Sequence, residues 1–159
     1  MTERPVIHDT FVIKRTYPVP VSRVFAAFAS KEAKDAWADT GDLGEPGADA
    51  ADTEFDFRVG GNERFGFGYQ GISYRYEARY YDIVPDQRIV YCYEMYAGED
   101  RMSVSVATVV IEPAGRSTKL TYTEQGVFLD GIDKPELRQE GTEWLLDNLG
   151  KYLAAKAGQ

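Results

Sequence analysis

Eight of the eleven tyrosines of this chain lie between Tyr69 and Tyr96. Most follow period two, so they share faces of neighbouring strands. Each offers an apolar ring and a hydroxyl tip. Gathered on a concave face they line a site for a small amphipathic molecule; packed on one another they form a plain aromatic core. Spacing alone allows either. Parity sets Tyr74, Tyr76, Tyr80, Tyr91 and Tyr93 inward and Tyr81 and Tyr96 outward.

One carboxylate stands out. In Leu120-Thr-Tyr122-Thr-Glu124 the glutamate shares parity with two inward residues. It is either at a strand end reaching water or buried with partners. Buried, it becomes a candidate general acid or base, because desolvation raises a carboxyl pKa. Asp56 and Arg58 sit opposite Phe55 and Phe57 and read as a surface ion pair.

The remaining reactive residues point away from chemistry. His8 is the only histidine and Cys92 the only cysteine, so a Ser-His-Asp triad or a His-based zinc site has little to build on. His8 reads as a surface residue. Asp49 and Asp52 read as part of a solvated acidic loop without a cation-loop spacing. Gly66-Phe-Gly68-Tyr-Gln-Gly71 fits GxGxxG, but the dinucleotide version must precede a helix. Here a strand pattern follows, and the glycines read as bends in a curved sheet. No metal and no cofactor is expected.

Composition narrows the partners. The chain has 159 residues and a formal charge of −8, with Lys and Arg interspersed among Asp and Glu. Nucleic acids and anionic membranes call for a basic footprint, which is lacking. The N-terminus has no signal-like apolar run, and no stretch approaches the ~20 apolar residues of a membrane span. A single cysteine suits a reducing compartment, so a cytoplasmic protein is expected.

These groups must be positioned by a definite order of elements. Residues 11–17 read as a strand ended by Pro18. Pro20 opens a helix carrying Val21, Val24, Phe25 and Phe28, and Ser30 caps a second one running through Trp37. Residues 38–53 read as a mobile loop. Alternation then predicts six antiparallel strands at 55–59, 65–69, 72–83, 89–95, 102–112 and 118–125, joined by turns such as Gly60-Gly61-Asn62. Asp133 caps a last long helix to about Ala155, with Leu145, Leu146, Leu149, Tyr152 and Leu153 on one half of its wheel. Asp147 and Lys151 form an i,i+4 pair on the other half. Gly141 and Thr142 leave room between helix and sheet, or else mark close packing at Gly141. The whole is one α+β domain.

The order of elements resembles the helix-grip fold of the SRPBCC (START-like, Bet v-like) superfamily, and within it the activator-of-Hsp-ATPase-homologue (AHSA-like) group. Pro20-Val-Ser-Arg-Val-Phe25 is similar to the group's first helix, and Trp37 sits where the group has a tryptophan. Asp56-Phe-Arg-Val-Gly-Gly61 and Asp82-Ile-Val-Pro-Asp-Gln-Arg88-Ile-Val-Tyr91 resemble its turn and hairpin. Thr118 to Gln125 and Gly141 to Leu149 resemble its last strand and helix. The resemblance spans about residues 8–155 and implies a cavity between the sheet and the long helix. It does not by itself imply one function.

The leading expectation is therefore a binding protein for a small hydrophobic, aromatic, polyketide-like or lipid-like ligand. Its expected wall is Trp37, Phe67, Tyr74, Tyr76, Tyr91, Tyr93, Met102, Val104, Tyr122, Trp144 and Leu145. Two alternatives stay open: a cyclase- or hydrolase-like enzyme using Glu124 with cavity tyrosines, and a chaperone-ATPase activator, which the resemblance alone suggests. A homodimer is one open assembly.

Overall fold

The computed structural model describes residues 3–38, 45–46 and 53–157. Strand β1 (Val6–Tyr17) leads into helices α1 (Val21–Ala29) and α2 (Lys31–Ala38). The short strands β2 (Glu45–Pro46) and β3 (Glu54–Phe55) follow. The long strands are β4 (Asn62–Tyr69), β5 (Ile72–Val84), β6 (Arg88–Ala97), β7 (Asp100–Ala114) and β8 (Ser117–Leu129), and helix α3 (Pro135–Ala157) closes the chain. All eight strands lie in one antiparallel sheet, ordered β1-β8-β7-β6-β5-β4-β2, with β3 also paired to β4. This is the expected helix-grip arrangement.

Alternation builds the inner face. Phe11, Ile13 and Tyr17 of β1, Leu120 and Tyr122 of β8, and Ala107, Val109 and Ile111 of β7 are all buried there. Helix α3 lays Leu146, Leu149 and Leu153 on this face. The Tyr17 hydroxyl donates to the Leu146 carbonyl at 2.8 Å. At Gly150 a Cβ would stand 3.2 Å from the Tyr17 ring, so the missing side chain permits the close approach. The tight helix–sheet contact thus falls one helical stretch beyond Gly141, where a Cβ would meet nothing within 4 Å.

Helices α1 and α2 plug the side of this sandwich. Ser30 caps α2, its Oγ accepting from the Ala33 amide at 3.0 Å. Trp37 is buried edge-on to Phe28 and donates its indole N–H to the Ala27 carbonyl at 2.9 Å.

Several expectations change. The strand expected over 55–59 stops at Phe55. The chain turns at once, held by Asp56 N to Asn62 O and Gly61 N to Arg58 O bonds. Gly60 has φ +86°, and a Cβ on Gly61 would lie 2.1 Å from the Asp56 carbonyl oxygen. Phe57 points inward because this turn folds it onto Tyr80 and Phe25, not because a strand alternates. Asp56 and Arg58 do pair, at 2.8 Å. Gln70 and Gly71, both at positive φ, make the two-residue hairpin turn that ends the GxGxxG stretch. Asp147 pairs with Arg15 of β1 at 2.8 Å rather than with Lys151, because the planar guanidinium reaches across from the sheet edge. The segment around Asp49 and Asp52 lies outside the described residues.

Leu149, fully buried on the sheet-facing side of α3, gives a direct check on this docking. Leu149→Ala should lower unfolding free energy by roughly 2–5 kcal/mol, read by urea denaturation, since a methyl-lined void would remain.

Candidate functional site

The inner face is not uniformly apolar. At the end of the sheet near the start of α3, β7 turns Ser103 and Ser105 inward, both fully buried, and β8 turns in Glu124, 1% exposed. The carboxylate is met on every side. The Tyr93 hydroxyl lies 2.7 and 2.8 Å from its two oxygens, Tyr122 Oη donates at 2.7 Å and Ser105 Oγ at 3.0 Å. Gly126 makes this possible: a Cβ there would stand 2.8 Å from Ser105 Oγ.

Arg138, in the first turns of α3, supplies the countercharge. Its Nη1 donates to Tyr93 Oη at 3.0 Å and sits 3.5 Å from Glu124. Its Nη2 donates to Ser103 Oγ at 2.8 Å and to Asp133 at 2.9 Å. The guanidinium also lies 5.1 Å from the Phe128 ring centroid. Asp133, expected as the helix cap, is spent on this arginine and on the Lys134 amide. Such saturation is what a buried ion pair needs to offset desolvation.

Burial sets the protonation of the ring. It raises the hydroxyl pKa of Tyr76, Tyr93 and Tyr122, with neighbouring tyrosines and carboxylates adding to the rise. It raises Tyr91 as well, against a hydrogen bond with Tyr122 that pulls the other way. For Arg138 burial favours the neutral form, but Tyr93, Glu124 and Asp133 outweigh it and hold the pKa above the ordinary arginine value. The site therefore presents neutral phenols and a fixed guanidinium.

A second buried ion pair lies elsewhere on the inner face. Glu63 of β4 shares parity with Phe65 and Phe67 and is 6% exposed. Lys34 of α2 donates to its Oε1 at 2.5 Å, and Tyr80 Oη donates to the same oxygen at 2.7 Å.

Between sheet and α3 is a cavity of about 360 Å³ with both clusters in its wall, through Arg138 and Asp133 and through Lys34 and Glu63. The rest of the wall is mainly apolar and aromatic. Of the expected wall residues, Trp37, Phe67, Tyr76, Tyr91, Tyr93, Tyr122, Trp144 and Leu145 line it. Three do not. Tyr74 shares their face and stacks on Phe67 at 5.3 Å, but stands beyond the cavity. Met102 is the extra residue of a bulge, skipped between the Met95–Ser103 and Tyr96–Arg101 pairs, so it leaves the alternation. Val104 lies past that bulge on the opposite face, paired with Glu94 and Val127. Serines hold the inward positions there, which hydropathy parity reads as outward. Gly141 and Thr142 border the cavity.

Glu124 lies behind the tyrosines rather than on the wall. Arg138, Lys34 and Glu63 were not singled out from the sequence. Signals existed: Arg138 is three, four and seven residues before Gly141, Thr142 and Leu145, on their stripe, and Glu63 keeps step with Phe65 and Phe67. His8 is exposed on β1. Among the described residues no cluster of His, Cys, Asp and Glu could hold a metal ion, and no helix is long and apolar enough to cross a membrane.

A long helix gripped by a curved antiparallel sheet, with a cavity between them, defines a class of fold consistent with ligand binding. Residues 18–154 match the family model described as activator of Hsp90 ATPase homolog 1-like protein, and the chain belongs to that family. Among solved structures it is similar to an uncharacterised protein from Rhizobium leguminosarum, at 44% identity and TM-score 0.87 over 97% of this chain and 99% of that one. It is similar to the Mll3558 protein from Rhizobium loti, at 48% identity and TM-score 0.83 over 93% and 99%. Protein CV1439 from Chromobacterium violaceum shares the fold at 22% identity and TM-score 0.71, over 91% and 96%. No curated protein matches the chain.

Two outcomes follow from the polar cluster. A tyrosine with a raised folded-state pKa holds its proton more tightly than in the unfolded chain. Its stabilising contribution is complete below about pH 10, the unfolded value, and is lost as pH rises toward the folded value. Tyrosinate absorbance from Tyr76, Tyr91, Tyr93 and Tyr122 should appear only together with loss of the circular-dichroism signal, in alkali above about pH 10. Arg138→Met, which strands Glu124 without its countercharge, should destabilise by roughly 3–5 kcal/mol, and adding Glu124→Gln should recover part of that loss in a double-mutant cycle.

Proposed function

We propose that this protein binds a small aromatic or lipid-like molecule in the cavity between the sheet and α3. The observation that carries the reading is the cavity itself: about 360 Å³, walled by Tyr76, Tyr91, Tyr93, Tyr122, Trp37 and Trp144, with hydroxyl tips and ionic groups at defined points. That size falls at the lower end of the range for small-molecule pockets, and the mix of apolar wall and few polar groups suits an amphipathic ligand. The neutral state of the phenols supports hydrogen bonding rather than a nucleophilic or basic tyrosinate.

Binding is favoured over cyclase- or hydrolase-like chemistry by the state of Glu124. Its oxygens are occupied by Tyr93, Tyr122 and Ser105, with Arg138 close by. A general base needs a free lone pair within reach of substrate. We assign Glu124 the task of orienting the Tyr93 and Tyr122 hydroxyls. Activation of a chaperone ATPase rests on the family description alone.

The test uses Gly141, which borders the cavity and has open space at its Cβ. Gly141→Leu should keep or raise the melting temperature, because glycine inside a helix costs about 0.5–1 kcal/mol relative to alanine. It should at the same time weaken binding of naphthalene about tenfold or more by filling the space, as read by isothermal titration. Wild-type protein that binds no apolar probe, or a variant that binds as well as wild type, would overturn the reading.

A further inference from the structure

We infer that the Lys34–Glu63 pair is a second polar anchor of the cavity, suited to an uncharged planar ligand that carries an N–H or O–H beside a carbonyl on one edge. The inference rests on the binding reading above and adds the chemistry that selects the ligand.

It comes from comparing the two buried carboxylates. Glu124 is saturated and stands behind the wall. Glu63 is on the wall, and both of its donors converge on Oε1. Its Oε2 has no hydrogen-bond partner among the described residues. Among the described residues it is not one of the fully buried side-chain polar atoms left without a hydrogen bond; that condition is met by Arg75 Nε, which stands 3.1 Å from Glu77 Oε1. Glu63 and Lys34 side chains are 8% and 17% exposed. A carboxylate oxygen so placed, with little access to bulk water, gains most from a ligand donor.

Lys34 supplies the matching half. Its ammonium has three N–H groups. One goes to Glu63, and the next oxygen, Tyr80 Oη, is 3.5 Å away. At least one N–H is left to donate into the cavity that Lys34 lines. Among the described residues an acceptor without a partner therefore sits beside a donor with an N–H to spare. The complement is a donor beside an acceptor, as in a lactam or an enolised 1,3-dicarbonyl.

Net charge and shape complete the selection. The pair sums to zero, so a bare carboxylate meets Glu63 and a bare ammonium meets Lys34, and each is disfavoured. Phe65 flanks the pair and stacks on Tyr76 at 4.8 Å, which favours a flat ring system against the wall. A second cavity of about 210 Å³ shares Lys34, Glu63, Phe65 and Phe67 with the first, so the pair stands between two spaces and is open to a ligand from either.

The experiment compares three probes by isothermal titration: isoquinolin-1(2H)-one, its N-methyl derivative, and naphthalene. Wild type should bind the lactam about tenfold more tightly than the other two. In Lys34→Met/Glu63→Leu, which removes both charges together, the preference should vanish while naphthalene still binds. If that double variant does not melt cooperatively, Glu63→Gln replaces it and should cut the preference at least threefold; an unchanged preference overturns the inference. Equal affinities for the lactam and its N-methyl derivative in wild type, with naphthalene bound, overturn the anchor and leave the cavity reading standing. No binding of any probe overturns both.

Discussion

A carboxylate on the inner face of an antiparallel sheet has to be met by donors before a helix can close over it. Glu124 sets that condition here. Unpaired and buried, it would cost far more than any single apolar contact on this face returns. Four partners meet it: Tyr93 from β6, Ser105 from β7, Tyr122 from β8 itself and Arg138 from α3. The arginine fixes where α3 begins relative to the sheet, and Ser103 and Asp133 hold the arginine. The rest of the architecture is compatible with this requirement, down to the glycine at 126 that leaves Ser105 its place.

The same helix is treated differently at its two ends. Beyond Leu146 it sits hard on the sheet, with Leu149 and Leu153 buried and Gly150 against the Tyr17 ring. Before Leu146 it stands off, propped by Arg138 and carrying Gly141 and Thr142 over open space. A cavity results because one end of the helix is anchored by apolar packing and the other by a long charged side chain whose guanidinium is held by Tyr93, Ser103 and Asp133. Close packing is the default in protein interiors, so a space of this size has to be held open by such props. Helices α1 and α2 close its flank with Phe28 and Trp37.

Buried charge is thus used twice on this face, to different ends. Around Glu124 every polar atom finds an internal partner, and the cluster behaves as part of the scaffold. Around Glu63 the partners are fewer and arranged on one side. The difference lies in neighbours rather than in residue type. Both are glutamates in step with aromatic residues on a strand, and both accept from a tyrosine and sit beside a cation.

The division between sequence and tertiary structure follows from range. Alternation of period two and the 3.6-residue stripe are local properties, so the strands from Asn62 to Leu129, the docking leucines of α3 and the Ser30 cap were legible in the chain itself. So was the inward direction of Glu124, from its step with Leu120 and Tyr122. Two local readings failed where the backbone leaves its period: Met102 is the extra residue of a bulge, and the Gly60–Gly61 turn replaced a strand around Phe57. Val104 failed inside a regular strand, because the inward parity there belongs to Ser103 and Ser105 rather than to the apolar residues. Which cation meets which carboxylate was decided only in three dimensions. Glu124 and Arg138 lie on consecutive elements and Lys34 and Glu63 on elements further apart, and in neither case does a spacing rule join the two. Sequence therefore determined the faces and their chemistry, while tertiary structure decided the partners, because pairing across a cavity depends on distances that close only when sheet and helices pack.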